Sequence, residues 1–423
     1  MRKNTILLFV VSAVACLVTT QPLPLVASSS LNASSRQITL TGTIIYPGRI
    51  IKYIVAYGFS GGFPNDTADF IANHFDLVDA HYSEQSIYGF RRMKSRNTDL
   101  IIIVYRNAMG TDADASGQLE GFNWEVVNQH EDWFVHDKNG NRVRNKFWGW
   151  YLMDVGSAGW REFYANWCLR ILTETSIDGI FADDVWDSLP CGDFLDSWWN
   201  PWTVTNVHID KAIGDRWYND MLGFITYVKQ RIGNKLLIVN TGDNNGYVDA
   251  CDGKMDEEFI HPDWYSYSEF HDEYIHWTEK VDRIRTTSVK NRYVMIDAGF
   301  SELYGQEPTS EMVNRILMYC FSSYLMALEG SRTSFGFGDY WSSDNSKGYY
   351  SIFDQAKALG SPIDEYHVYQ SIYARDFANG KVLVNPSNSS YYVLLDQDYR
   401  TLNGDIISNI TLDNHTGTIL FGE

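Results

Sequence analysis

Cysteine is scarce in this chain, five in 423 residues, and none stands in a Cys-X-X-Cys pair or at a Cys/His spacing that would hold zinc. No His-X-His or His-Glu-X-X-His run occurs, so neither a catalytic metal nor a cofactor is expected. Positive charge is also short. Lys and Arg number 34 against 53 Asp and Glu, a net charge of −19. Nucleic acids and anionic membrane surfaces both recruit basic patches, so neither is an expected partner. No Gly-X-Gly-X-X-Gly phosphate turn follows the first strand-like run, which argues against a dinucleotide-binding open sheet. Internal repeats, low-complexity tracts and long linkers are missing too. What the chain has in surplus is aromatic side chains, with 14 Trp and 27 Tyr. Most belong to a core; the excess suits proteins that stack on sugar rings.

The first thirty residues read as a leader outside the fold. Arg2 and Lys3 precede an apolar run from Ile6 to Val18, too short to cross a bilayer comfortably. Ala13 to Ala15 offers a small-residue cleavage site, Val26 to Ser28 a second, and Cys16 a site for lipid. The expectation is a secreted or surface-attached protein, touching a membrane only through a lipid or an uncleaved N-terminal anchor. Asn-X-Ser/Thr triplets at Asn32, Asn65, Asn388, Asn409 and Asn414 fit a glycosylated, exported surface. Export leaves room for one or two disulfides. Cys191 and Cys251 both fall just after strand ends and are the first choice for a pair. Cys168 and Cys320 lie in apolar helical settings and are expected as buried thiols.

After an arm at 31–48, strands and helices alternate. Strand-like runs fall at Ile51 to Phe59, Phe75 to His81, Leu100 to Arg106, Ser176 to Ala182, Lys235 to Asn240, Gly253 to Ile260, Arg292 to Asp297 and Ser331 to Phe337. The third is apolar on both faces, as a parallel strand between helices should be. Helical stretches fall at 66–73, 86–96, 156–175, 213–232, 267–290 and 310–329. The gap between the fifth and sixth strands is too short for a full helix, so one is missing or vestigial there. A long insertion, Asn107 to Asp154, carries a turn at Lys138 to Gly140. Eight strands separated mostly by helices indicate a (β/α)8 TIM barrel over 49–362. From 363 to 423 short strands with tight turns take over, at Val382 to Asn385, Tyr391 to Leu395, Thr401 to Asp405, Ile406 to Ile410 and Gly417 to Phe421. The fold class is therefore α/β, a barrel followed by a small all-β antiparallel domain.

In such a barrel the C-terminal strand ends converge on one face. Few carboxylates occupy those ends. Asp183 and Asp184 close the fourth strand, Glu257 and Glu258 the sixth, Asp297 the seventh, and Asp339 follows the eighth. An acid pair beside an indole such as Trp186 suits sugar chemistry, with carboxylates for catalysis and the ring for stacking. Two adjacent aspartates alone could equally cap the next helix. Tyr57, Arg106, Asp154, Asn240 and Asp297 end strands or open loops where a sugar hydroxyl could be held; a purely structural role competes for each. Trp148, Trp186 and Trp341 are stacking candidates.

Together, the stretches Asp178 to Trp186 and Asp252 to Phe259 and the terminal β-domain resemble glycoside hydrolases of the α-amylase/melibiase-like (β/α)8-barrel superfamily. His130 to Gly140, Leu152 to Ser157 and the tail from Gly380 to Leu420 add to the likeness. The resemblance implies a C-terminal β-sandwich, an oligo- or polysaccharide substrate and cleavage of α-linked bonds. It implies Asp183 as nucleophile and Glu257 as general acid/base, with Asp184 and Glu258 the alternatives. The superfamily's melibiase members usually carry Asp on the sixth strand, so Glu here leaves the sugar open. A retaining reaction requires the two carboxyls about 5–5.5 Å apart, and inversion about 6.5–9.5 Å. The competing reading is a catalytically silent barrel that binds polysaccharide at the cell surface. A separation above about 10 Å would favour it.

Overall fold

A computed structural model of the chain describes residues 48–423, apart from 60, 114–121, 146–148, 190–208, 242–244, 258, 261, 264–265, 271–275, 299–308 and 339–347. Eight parallel strands close into a barrel: β1 (Ile51–Ala56), β2 (Leu77–His81), β3 (Ile101–Asn107), β4 (Gly179–Asp183), β5 (Leu236–Asn240), β6 (Gly253–Asp256), β7 (Tyr293–Ala298) and β8 (Thr333–Phe337). Each pairs with its sequence neighbours, and β8 returns to β1. Period-two alternation sorts their side chains. Tyr53, Leu77, Ile103, Phe181, Ile238, Met255 and Met295 fill the barrel, and the intervening residues pack outward against helices. Gly179 is needed on β4, because a Cβ there would meet the Cβ of Leu236 at 2.5 Å.

Besides two four-residue helices, Trp124–Val127 and Ile352–Gln355, the described helices are α1 (Asn65–His74), α2 (Ser86–Arg96), α3 (Ala158–Glu174), α4 (Lys211–Ile232), α5 (Asn245–Ala250), α6 (Trp277–Ser288) and α7 (Ser310–Ala327). Three are capped by short polar side chains. Ser157 accepts from Trp160 N, Asp210 from Ala212 N and Thr309 from Met312 N. The six residues of α5 are the shortened helix expected between β5 and β6. The helix expected from Tyr267 begins instead at Trp277. Residues Ser266–Phe270 form a strand paired antiparallel with Pro262–Asp263. No described helix is long and apolar enough to cross a membrane.

The C-terminal strands β9 (His367–Tyr369), β10 (Ile372–Phe377), β11 (Gly380–Asn385), β12 (Tyr391–Arg400), β13 (Ile406–Leu412) and β14 (Thr416–Gly422) form one antiparallel sheet, ordered β9-β10-β11-β14-β12-β13. The strand expected at Thr401 to Asp405 is a turn, with Thr401 N bonded to Asp405 O and Gly404 at φ 92°. Strands β11 and β14 pack on α7. Arg375, on β10, reaches the end of that helix and donates to the carbonyls of Leu325, Met326 and Leu328 at 2.8–3.1 Å. These are orphan carbonyls of a helix C-terminus, and Arg375 also pairs with buried Glu329 at 3.1 Å. Cys168, Cys251 and Cys320 are all buried free thiols. The expected partner of Cys251, Cys191, lies outside the described residues; the Cys251 Sγ faces the carbonyls of Val248 and Gly253.

Candidate active site

The odd-numbered residues of β1 to β4 point into the barrel, in phase with Tyr53, Leu77, Ile103 and Phe181. That phase brings Tyr57, Asp79, His81, Tyr105 and Asp183 to its upper interior. On β5 and β7 the inward phase ends at Asn240 and Asp297, and Glu257 follows β6 in phase with Met255. Asp183 accepts two hydrogen bonds, from the Tyr105 hydroxyl at 2.9 Å and from Asn240 Nδ2 at 2.9 Å. The same Asn240 nitrogen donates to Glu257 Oε2 at 2.8 Å. Bonds of 2.9 and 2.8 Å to one nitrogen hold Asp183 Oδ1 and Glu257 Oε2 within 5.7 Å of each other, their sum.

Asp184 faces elsewhere. Its backbone turns left-handed at φ 54°, which ends the strand and breaks the alternation. One carboxylate oxygen accepts from Asn107 Nδ2 at 2.6 Å and the other from Trp186 Nε1 at 3.1 Å. Buried Asn107 is fixed in turn by the backbone N–H groups of Met109 and Gly110. Trp186 is half-buried, and its carbonyl accepts from Trp217 Nε1 at 3.0 Å.

Three inward groups on β1 to β3 form an aromatic wall. The rings of Tyr57 and His81 stack at 4.3 Å, and Tyr105 meets both edge-on at 5.1 Å. Burial, followed by the charge of Arg106, pushes the His81 pKa down to about 4, so its imidazole is neutral near pH 7. Tyr57 donates to Asp79 at 2.6 Å, and Asp79 is fully buried. Tyr53 lies among Asp297, Asp79 and Glu257, and burial together with those charges raises its phenol well above the usual range.

Two expected sugar contacts lie elsewhere. Arg106 falls on the outer face of β3, its guanidinium over Trp167 at 4.2 Å and Phe122 at 5.0 Å. Asp154 clamps α4 to the start of α3. It takes both guanidinium nitrogens of Arg216 at 3.0 and 2.6 Å and the N–H of Gly156 at 2.9 Å. Asp297 is buried at the end of β7, and its carbonyl accepts from Phe259 N at 3.0 Å. Asp256, in the acidic run around Glu257, points outward to Arg283 at 2.7 Å and Lys254 at 3.4 Å. Glu258, Trp148, Trp341 and Asp339 lie outside the described residues. Among the described residues, Asp364, His367 and Asp376 are close enough to share an ion. They belong to the C-terminal sheet, where His367 pairs with Asp364 and Asp376 with Lys381.

Residues 94–381 match hypothetical glycosyl hydrolase family 15. The chain belongs to that family. Solved structures share the fold of this family-15 chain at low identity. The maltogenic α-amylase AmyB from Thermotoga neapolitana superposes with a TM-score of 0.53 at 12% identity, covering 88% of this chain and 99% of that one. The GH36 α-galactosidase AgaA from Geobacillus stearothermophilus, in complex with stachyose, gives 0.51 at 8% identity, covering 89% and 56%. The family-15 chain thus spans little more than half the length of that α-galactosidase. No curated protein matches the sequence.

Proposed function

We propose that this family-15 chain hydrolyses α-linked glycosidic bonds with retention, Asp183 acting as nucleophile and Glu257 as general acid/base. One observation carries the reading: Asn240 Nδ2 bonds both carboxylates and keeps one oxygen of each within 5.7 Å of the other. A pair joined through one donor suits the close carboxyls of a retaining enzyme, about 5–5.5 Å apart. Asp183 would attack the anomeric carbon as Glu257 protonates the departing oxygen. Glu257 would then deprotonate the water that releases the sugar. Tyr105 and Asn240 orient the nucleophile by taking one oxygen each. Asp184 fits the first role less well, since its left-handed backbone takes it out of the inward phase of β4 and Asn107 and Trp186 hold it there. The α preference rests on the sequence resemblance. Screening the protein against aryl α- and β-glycosides and polysaccharides, with NMR on the first-formed anomer, tests the reading. α-Products from α-glycosides are expected. An inverted first product would overturn the mechanism, and a folded protein inert on every substrate would return the silent sugar-binding barrel.

The same reading places the enzyme outside the cytoplasm. Arg2, Lys3 and the apolar run after them support it, as do exposed sequons at Asn65, Asn388 and Asn409. The mass of the protein recovered from its producing cell should lack the leader.

A further inference from the structure

Asp79 has no part in the two-carboxylate reaction, yet it is fully buried on the inner face of β2. Tyr57 donates to its Oδ2 at 2.6 Å, and its Oδ1 has no hydrogen-bond partner among the described residues. Among those residues no Lys, Arg or His forms an ion pair with it. The titratable groups around it are Tyr53 on β1, Tyr57 just after β1, His81 on β2, Tyr105 on β3 and Asp183 on β4. Glu257 and Asp297 approach the same group through Tyr53. Arg106 is set on the outer face of β3. Burial, opposed by the bond from Tyr57 and reinforced by the charge of Asp183, lifts the Asp79 carboxyl well above the usual carboxylate range.

We propose that Asp79 is a positioning residue that keeps its proton in the working enzyme, holding Tyr57 as a neutral acceptor so that no second anion faces Asp183 from β2. The inference rests on the reading of Asp183 as nucleophile. Its physical route is short. Asp79 fixes the Tyr57 hydroxyl, the Tyr57 ring braces Tyr105, and the Tyr105 hydroxyl holds Asp183. A charged Asp79 would disfavour the carboxylate form of Asp183.

The variants Asp79→Asn and Asp79→Leu test this in two arms, one of which needs no substrate. In the first, thermal midpoints are measured between pH 4 and 8. A carboxyl raised in the folded state stabilises fully below its unfolded pKa of about 3.9, and that contribution is lost as pH rises. Asparagine does not titrate, so Asp79→Asn should gain on wild type as pH climbs from about 4. An Asn variant that merely tracks wild type, or falls behind it, over that range would mean an ionised Asp79 and overturn the proposal, whatever the protein hydrolyses. The second arm uses an aryl glycoside that wild type cleaves. Asp79→Asn keeps a neutral acceptor, so kcat should stay within about threefold and the acid limb of the pH profile should not move. Asp79→Leu should lose about tenfold or more in kcat with little change in KM. A downward shift of the acid limb in Asp79→Asn, or wild-type kcat in a folded Asp79→Leu, would contradict the role. If the leucine variant does not fold, the asparagine variant decides alone.

Discussion

At the residue scale one amide nitrogen joins the two proposed catalytic groups. Asn240 donates to Asp183 and Glu257 together, so in the proposed mechanism it would set the gap in which the glycosidic bond sits. Replacing it with Leu should cost about 10²-fold in kcat through misplacement of both carboxylates, with a smaller effect on KM; steady-state kinetics would show it. The carboxylates themselves should fail differently. Asp183→Ala should lose about 10⁴-fold or more on every substrate, because no covalent intermediate can form. Glu257→Ala should lose about 10²–10⁴-fold where the leaving group needs a proton and far less on an activated aryl glycoside. Equal losses on both substrates would deny Glu257 the role of acid. The place of Asp183 at a strand end was legible in the sequence because an apolar run ends in it. Asp79, Tyr105 and Asn107 were not, because each lies inside or at the end of a strand whose inward phase was unassigned. The alternation of Leu77, Asp79 and His81, and of Ile103 and Tyr105, is the signal that would have found two of them. The same count would have placed Arg106 on the outer face, out of phase with Ile103 and Tyr105.

At the scale of elements, runs of β-branched and apolar residues located all eight barrel strands, since both faces of a parallel strand are buried. Where pairing overrules local pattern, the reading failed. Ser266–Phe270 is a strand because Pro262–Asp263 pairs with it, and Thr401 to Asp405 is a turn that reverses the chain between β12 and β13. The junction between barrel and sheet depends on a contact 46 residues apart in sequence, Arg375 with Glu329. Both side chains are fully buried. Burial raises the Glu329 carboxyl, while Arg375 and then Arg285 hold it down. Truncating Arg375 to Ala leaves that carboxyl to Arg285 alone and releases three helix-end carbonyls at once. Denaturant unfolding should show a loss of about 3–5 kcal/mol, the range for breaking a buried pair. A loss under about 1 kcal/mol would mean that the helix end finds other donors.

Closure of the barrel is what turns residues scattered from Tyr57 to Asp297 into one site, and it binds the acid stability of the whole molecule to that site. His81 is held neutral, with a folded pKa of about 4. Its unfolded value is about 6.5, so its contribution is present above about pH 6.5 and is lost as pH falls toward about 4. His81→Phe, which keeps a ring against Tyr57, should flatten the fall of the thermal midpoint across that window. An unchanged slope would place the acid sensitivity elsewhere. The most direct test of the central claim, that Asp183 attacks and Glu257 transfers the proton, is the configuration of the product when azide rescues each alanine variant. Glu257→Ala should yield a glycosyl azide with the configuration retained, because the glycosyl-enzyme still forms on Asp183. Asp183→Ala should yield the inverted azide, formed directly in the cavity left by the nucleophile. A retained product from Asp183→Ala, or near-normal turnover in that variant beside an inactive Asp184→Ala, would contradict the account.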